Sequence, residues 1–145
     1  MRLTALLAVL LAALPAAAQT IPEPEAEISA MTAVVIPVVG NTLGANEVRW
    51  KTDLELLNDQ RTAVIVTIEM ASPFGFVSYT MAPGETLRFP DIVGQVFGSE
   101  DALSPLIVRT SGRRSVSIRA FAYGVRGSET FPPHEIAISY HSTYF

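Results

Sequence analysis

The chain has no cysteine, one lysine, two histidines and one tryptophan among its 145 residues. The missing cysteine excludes disulfides, thiolate metal sites and thiol nucleophiles, so stability must come from an apolar core. The histidines, His134 and His141, leave little scope for metal or proton-transfer chemistry. They are seven positions apart, and an odd separation on one regular strand puts them on opposite faces. The run His134-Glu135-Ile136-Ala137-Ile138 opens like the zinc-protease motif. However, Ile138 stands where the second histidine belongs, and that motif requires a helix. No metal or cofactor is expected. A Gly-x-Ser-x-Gly elbow is absent. Asp53 and Glu55 share one face of a strand, about 6.5–7 Å apart along it. That is a poor fit to two acids flanking a sugar. Neither Glu100-Asp101 nor Asn58-Asp59 belongs to a dense run of oxygen ligands like a calcium loop. These absences point away from an enzyme.

Long hydrophobic runs are also scarce. Leu3 to Leu14 is apolar except for Thr4, too short for the roughly 20 residues of a spanning helix. Preceded by Arg2 and followed by Pro15 and Ala16-Ala17-Ala18, it reads as a secretory signal peptide over 1–18. No cysteine follows the cleavage position, so lipid anchoring of the lipoprotein kind is not expected. No later segment reads as a membrane-spanning helix. The expectation is an exported protein, periplasmic or extracellular. The formal net charge is −4, and one unit more negative without Arg2. An acidic balance argues against nucleic acid as a partner, because such binding neutralises phosphates.

What is present reads as β-structure. Residues 19–32, with two prolines and three glutamates, read as an exposed tail before a domain over 33–145. "AVVIPVVG" (33–40) is a β-branched run whose Pro37 predicts an edge or a bulge. From Val48 to Leu56 the even positions Val48, Trp50, Thr52, Leu54 and Leu56 alternate with Arg49, Lys51, Asp53 and Glu55. The even set is expected in the core, Trp50 included, and the charged set on the wet face. Asn58-Asp59-Gln60 is a turn, and "TAVIVTIEM" (62–70) a second alternating strand. If the two form a hairpin, Glu69 faces Lys51 or Arg49. "SPFGF" (72–76) reads as a loop, "VSYTM" (77–81) as a strand and "APGET" (82–86) as a type II turn with positive φ at Gly84. Leu87 and Phe89 mark a short strand. Asp91 can cap a helical segment near 91–97 that Gly94 weakens and Gly98 ends. Strands follow at 105–110, 115–125 and 135–140.

The stretch from Val35 to about Ala122 resembles a loosely defined group of secreted bacterial β-sandwich modules. The residues that carry this are "VIPVVG", "GA" with "WKTDLELLN", "APGET", "DIVGQVFG", "SPLIVRTS" and "SIRAFAY". "LELLND" with "TAVIVTIEM" is also similar to the general immunoglobulin-like pattern. The resemblance implies a fold and no active site. Strand spacing points to an all-β sandwich of about eight short strands and one short helical segment, and the resemblance implies that this sandwich is immunoglobulin-like. The expected role is a non-catalytic structural, adhesive or protein-binding module at the cell envelope, its partner an envelope protein or glycan. A small carbohydrate- or anionic-ligand-binding domain is the first alternative. Arg109, Arg113, Arg114, Arg119 and Arg126 lie in a stretch with no acid, a candidate anion-binding edge. The balanced reading is a solvated face neutralised by acids elsewhere. Phe74 and Phe76 are candidate loop contacts, or caps on the core. A small eight-stranded outer-membrane barrel is the second alternative, which several strands are too short to favour.

Overall fold

A computed structural model describes residues 31–71, 73–111 and 116–143. The expected signal peptide, the tail up to residue 30, and Arg113 and Arg114 lie outside the described residues. The elements in chain order are β1 (Met31–Leu43), β2 (Arg49–Leu57), β3 (Val64–Met70), β4 (Gly75–Met81), β5 (Thr86–Phe89), α1 (Ile92–Gln95), β6 (Ala102–Thr110), β7 (Ser117–Arg126), β8 (Glu129–Thr130), β9 (His134–Glu135) and β10 (Ser139–Thr143). A 3-10 turn at Ala45–Glu47 joins β1 to β2.

The described residues are all-β apart from α1 and that turn. Its strands form one strongly curled antiparallel sheet, a half-barrel, in the order β4-β3-β6-β1-β2-β7-β8. β10 adds to β1, β5 to β2 and β9 to β7. The strands do not separate into two sheets, because β1 is long enough to belong to both limbs. Its first part lies between β6 and β10, and its last residues, Asn41–Leu43, pair with Lys51–Arg49 of β2. The register against β6 shifts between Ile36 and Val39. Pro37 and Val38 occupy that bulge, since proline cannot donate to a ladder. The proline thus marks a bulge in a central strand.

The concave side holds the core. Val34, Ile36, Leu54, Leu56, Val66, Ile68, Leu106, Val108, Ile118 and Ala120 are buried there. Tyr79 of β4 and Phe89 of β5 approach at 5.2 Å between ring centroids and link the two limbs. The connection from β2 to β3 crosses between limbs, so the two strands do not form the expected hairpin. Both flanks of β2 are already taken, by β7 on one side and by β1 and β5 on the other. Glu69 accordingly meets Arg109 on β6, at 3.2 Å, and not Lys51 or Arg49. Asn58 holds the crossing in place. Fully buried, it donates through Nδ2 to the carbonyls of Thr62, Met81 and Ala82 at 3.0–3.1 Å.

Two further expectations are corrected. Trp50 is 42% exposed. It lies opposite Thr42 and Gly124, past the end of the core, and a Cβ on Gly44 or Gly124 would meet its ring. The strand expected over 135–140 is split. β9 pairs with β7, whereas β10 pairs with β1, so the chain changes limbs between them. Ile136 and Ile138 still pack on the core during the crossing.

Candidate functional site

The charged stripe of β2 is not simply a wet face. α1 lies against β1 and β2, and the residue before it, Asp91, reaches over the stripe. Asp91 is 7% exposed and adopts the left-handed conformation, φ 48° and ψ 61°. Its carboxylate accepts from Asn41 Nδ2 at 2.9 and 3.2 Å, from Lys51 Nζ at 2.8 Å and from the Gly94 amide at 3.1 Å. Its own amide donates to Asp53 Oδ1 at 2.8 Å. A side chain at Gly94 would collide with the Asp91 carboxylate and the Asn41 amide, which accounts for glycine within so short a helix. On β7, Tyr123 faces Lys51. Burial first, then the charge and hydrogen bond of Asp53 and the charge of Asp91, push its phenol up to about 12. Arg49 completes the cluster by donating to Asn41 Oδ1 at 3.0 Å and to the Glu100 carbonyl.

An open hollow of about 380 Å³ lies over this cluster, lined among others by Arg49, Lys51, Gln95 and Glu100. Its buried polar atoms are satisfied by one another, and among the described residues no buried side-chain polar atom lacks a partner. Lys51 and Asp91 neutralise each other. The arrangement pins a helical turn to the sheet. Among the described residues no group of three His, Asp or Glu side chains gathers as a metal site. His134 sits on β9 against β7, and His141 on β10 against β1.

The arginines are distributed over separate strands. Arg109 is on β6, Arg119 and Arg126 are on β7, and β6 and β7 are not neighbours in the sheet. Each has a glutamate: Arg109 with Glu69 at 3.2 Å, Arg119 with Glu135 at 3.1 Å, Arg126 with Glu129 at 2.8 Å. The hydrogen bond and charge of Glu135 raise Arg119 above its ordinary value. Arg119 also lies over the ring of Phe121 and Arg126 over that of Phe131.

The two phenylalanines part company. Phe74 is half-buried and packs on the core. Phe76 is 70% exposed and belongs to β4, not to a loop. This draws attention to β4 itself, which sequence reasoning identified only as a strand. Among the described residues it pairs with β3 alone, and its other edge is open. The other strands at the margins are shorter. β8 and β9 have two residues each and flank Pro132-Pro133, and both carry a glutamate. β5 has four residues and runs into Pro90; β10 has five. β4 has seven, Gly-Phe-Val-Ser-Tyr-Thr-Met, with no charge and no proline. It therefore lacks the usual devices that keep an edge from pairing. Beside it on β3, Ile65 is 53% exposed. The available signal was the absence of charge from residues 70–84, apart from which nothing in a single sequence reveals which strand is an edge. Comparison with protein-family models, with curated proteins and with solved structures found no match.

Proposed function

We propose that this chain is an exported, non-catalytic protein-binding module of the cell envelope, with an immunoglobulin-like arrangement of the two limbs of its curled sheet, and that it associates through β4. The observation that carries this is the open, uncharged seven-residue edge flanked by exposed Phe76 and Ile65. An added strand gains main-chain hydrogen bonds from such an edge, and neighbouring side chains supply selectivity. The anionic-ligand alternative has less support, because Arg109, Arg119 and Arg126 are each neutralised by a glutamate and lie on strands that are not adjacent. An open sheet with an apolar concave side weighs against the outer-membrane barrel, which closes on itself around a polar interior.

The test is capture from cell-envelope extracts by the wild-type chain and by Thr80→Pro. Proline at an outward-bonding edge position leaves the β3–β4 ladder intact while blocking an added strand. Specific capture lost in the variant, at unchanged thermal stability, supports the reading. Capture that survives both Thr80→Pro and Phe76→Ser refutes it.

A further inference from the structure

The hydrogen-bonding phase of β4 can be read from its neighbours. The Ser111 amide donates to the Ile65 carbonyl, and the Ile65 amide donates to Ser111 Oγ. Ile65 thus directs its main chain toward β6. In an antiparallel ladder successive residues direct their main-chain groups to opposite sides. Val64, Val66 and Ile68 therefore bond toward β4, where they face Met81, Tyr79 and Val77. This leaves Phe76, Ser78 and Thr80 with amides and carbonyls directed to the open edge. The same three residues carry exposed side chains.

We propose that the occupant of this edge is a second copy of the chain, paired antiparallel through β4 about a two-fold axis at Ser78. This rests on the reading of β4 as an association edge. The free groups are symmetric about Ser78, as an isologous interface requires. Ser78 faces Ser78 of the partner copy, and each Phe76 faces a Thr80. Each of these pairs exchanges two hydrogen bonds, so every free main-chain group of the edge is used. The charge pattern also suits self-association. β4 brings no charge to the contact, and the nearest charges behind it, Glu69 and Arg109, neutralise each other at 3.2 Å. A cationic or anionic partner would find nothing on this strand to recognise. One strand pair is smaller than a standard stable interface, so the dimer is reversible and concentration-dependent.

The experiment is sedimentation equilibrium on the wild-type chain, on Ser78→Lys, on Ser78→Glu and on their equimolar mixture. Ser78 is exposed, and its hydroxyl pairs with the Thr67 hydroxyl at 2.9 Å, so both variants are expected to fold, as circular dichroism will check. The wild type should shift from monomer toward dimer mass with concentration. Each variant alone should remain at monomer mass, because like charges face each other at the axis. The mixture should regain dimer mass, because Lys then faces Glu. A wild-type dimer insensitive to both substitutions overturns the proposal and also removes the support for β4 as the binding edge. A wild-type monomer at all concentrations overturns self-pairing alone, and if envelope capture still depends on Thr80 the proposed function stands with a different partner.

Discussion

Asp91 is the sharpest test of the physical account of this fold. In Asp91→Ala the carboxylate that accepts from Asn41, Lys51 and Gly94 is lost. Breaking a buried ion pair costs about 3–5 kcal/mol when the remaining charge stays buried. Here the Lys51 side chain is 27% exposed and can turn to water, which lowers that cost. Asn41 is 3% exposed and loses its acceptor, a cost of about 1–3 kcal/mol. Alanine at φ 48° adds about 1 kcal/mol of backbone strain that aspartate tolerates better. These terms overlap, so Asp91→Ala should lose about 3–4 kcal/mol. Asp91→Gly removes the same carboxylate without the strain, and should be about 1 kcal/mol more stable than Asp91→Ala. Asp91→Asn keeps the shape and the left-handed preference but points an amide at the Asn41 amide, and should lose about 2 kcal/mol. Urea denaturation at neutral pH, read at constant slope, measures all three. A loss below about 1 kcal/mol for Asp91→Ala, or alanine more stable than glycine, would refute the reasoning.

Three further outcomes follow from other parts of the sheet. Trp50→Ala should cost about 2 kcal/mol, less than Leu54→Ala at about 3 kcal/mol, although tryptophan is the larger residue, because Trp50 is 42% exposed and Leu54 1%; the reverse order in chemical denaturation would restore Trp50 to the core. Asn58→Ala should cost about 3 kcal/mol and raise proteolysis in the 58–62 loop, since three carbonyls lose their shared donor; an unchanged cleavage pattern would show that Asn58 does not hold the crossing. The Tyr123 phenol is held protonated in the folded state to about pH 12, against an ordinary value of 10. Its contribution is therefore intact below pH 10 and lost as pH rises toward 12, where unfolding releases a proton. Tyr123→Phe should reduce the fall in stability over that window, and an identical fall would remove the assigned cause.

Local geometry was legible because it depends on residues close in sequence. Pro83 and Gly84 make the expected turn, with Gly84 at φ +74° and the Glu85 amide donating to Ala82 at 3.1 Å. Asp91 does cap α1, through the Gly94 amide. Gly98 follows the helix at φ +67°, and Pro37 does sit at a bulge. The alternation of 62–70 places Val64, Val66, Ile68 and Met70 inward as expected. What could not be read is pairing. Glu69 was bound to meet a base somewhere on a neighbouring strand, but Arg49, Lys51 and Arg109 satisfy the same cross-strand preference of a few tenths of a kcal/mol. Chain crossing decides among them, and crossing depends on how both flanks of β2 are filled from residues 41, 86 and 125. Trp50 was misplaced for a related reason. Alternation gives the face of a strand, whereas the extent of the core along that face is set by strands distant in sequence.

The same distinction explains why the surface proposed for association is only half visible in the sequence. Arginines attract notice in a sequence, and here Arg109, Arg119 and Arg126 are partnered by Glu69, Glu135 and Glu129. The stripe on β2 attracts notice too, and its Lys51 turns out to anchor Asp91 beneath a helical turn. At this stripe the Lys51–Asp91 pair is used inward, to fasten a curled sheet that has no disulfide to hold it. The proposed association falls to an element without charge. A half-barrel that does not close must leave strand edges, and most margins here are short or carry proline or glutamate. β4 is the exception, and a seven-residue uncharged strand with Phe76 at its open side is costly to leave unpaired. The proposed partner should therefore be sought by perturbing main-chain pairing at Phe76, Ser78 and Thr80, and not by neutralising Arg109, Arg119 or Arg126.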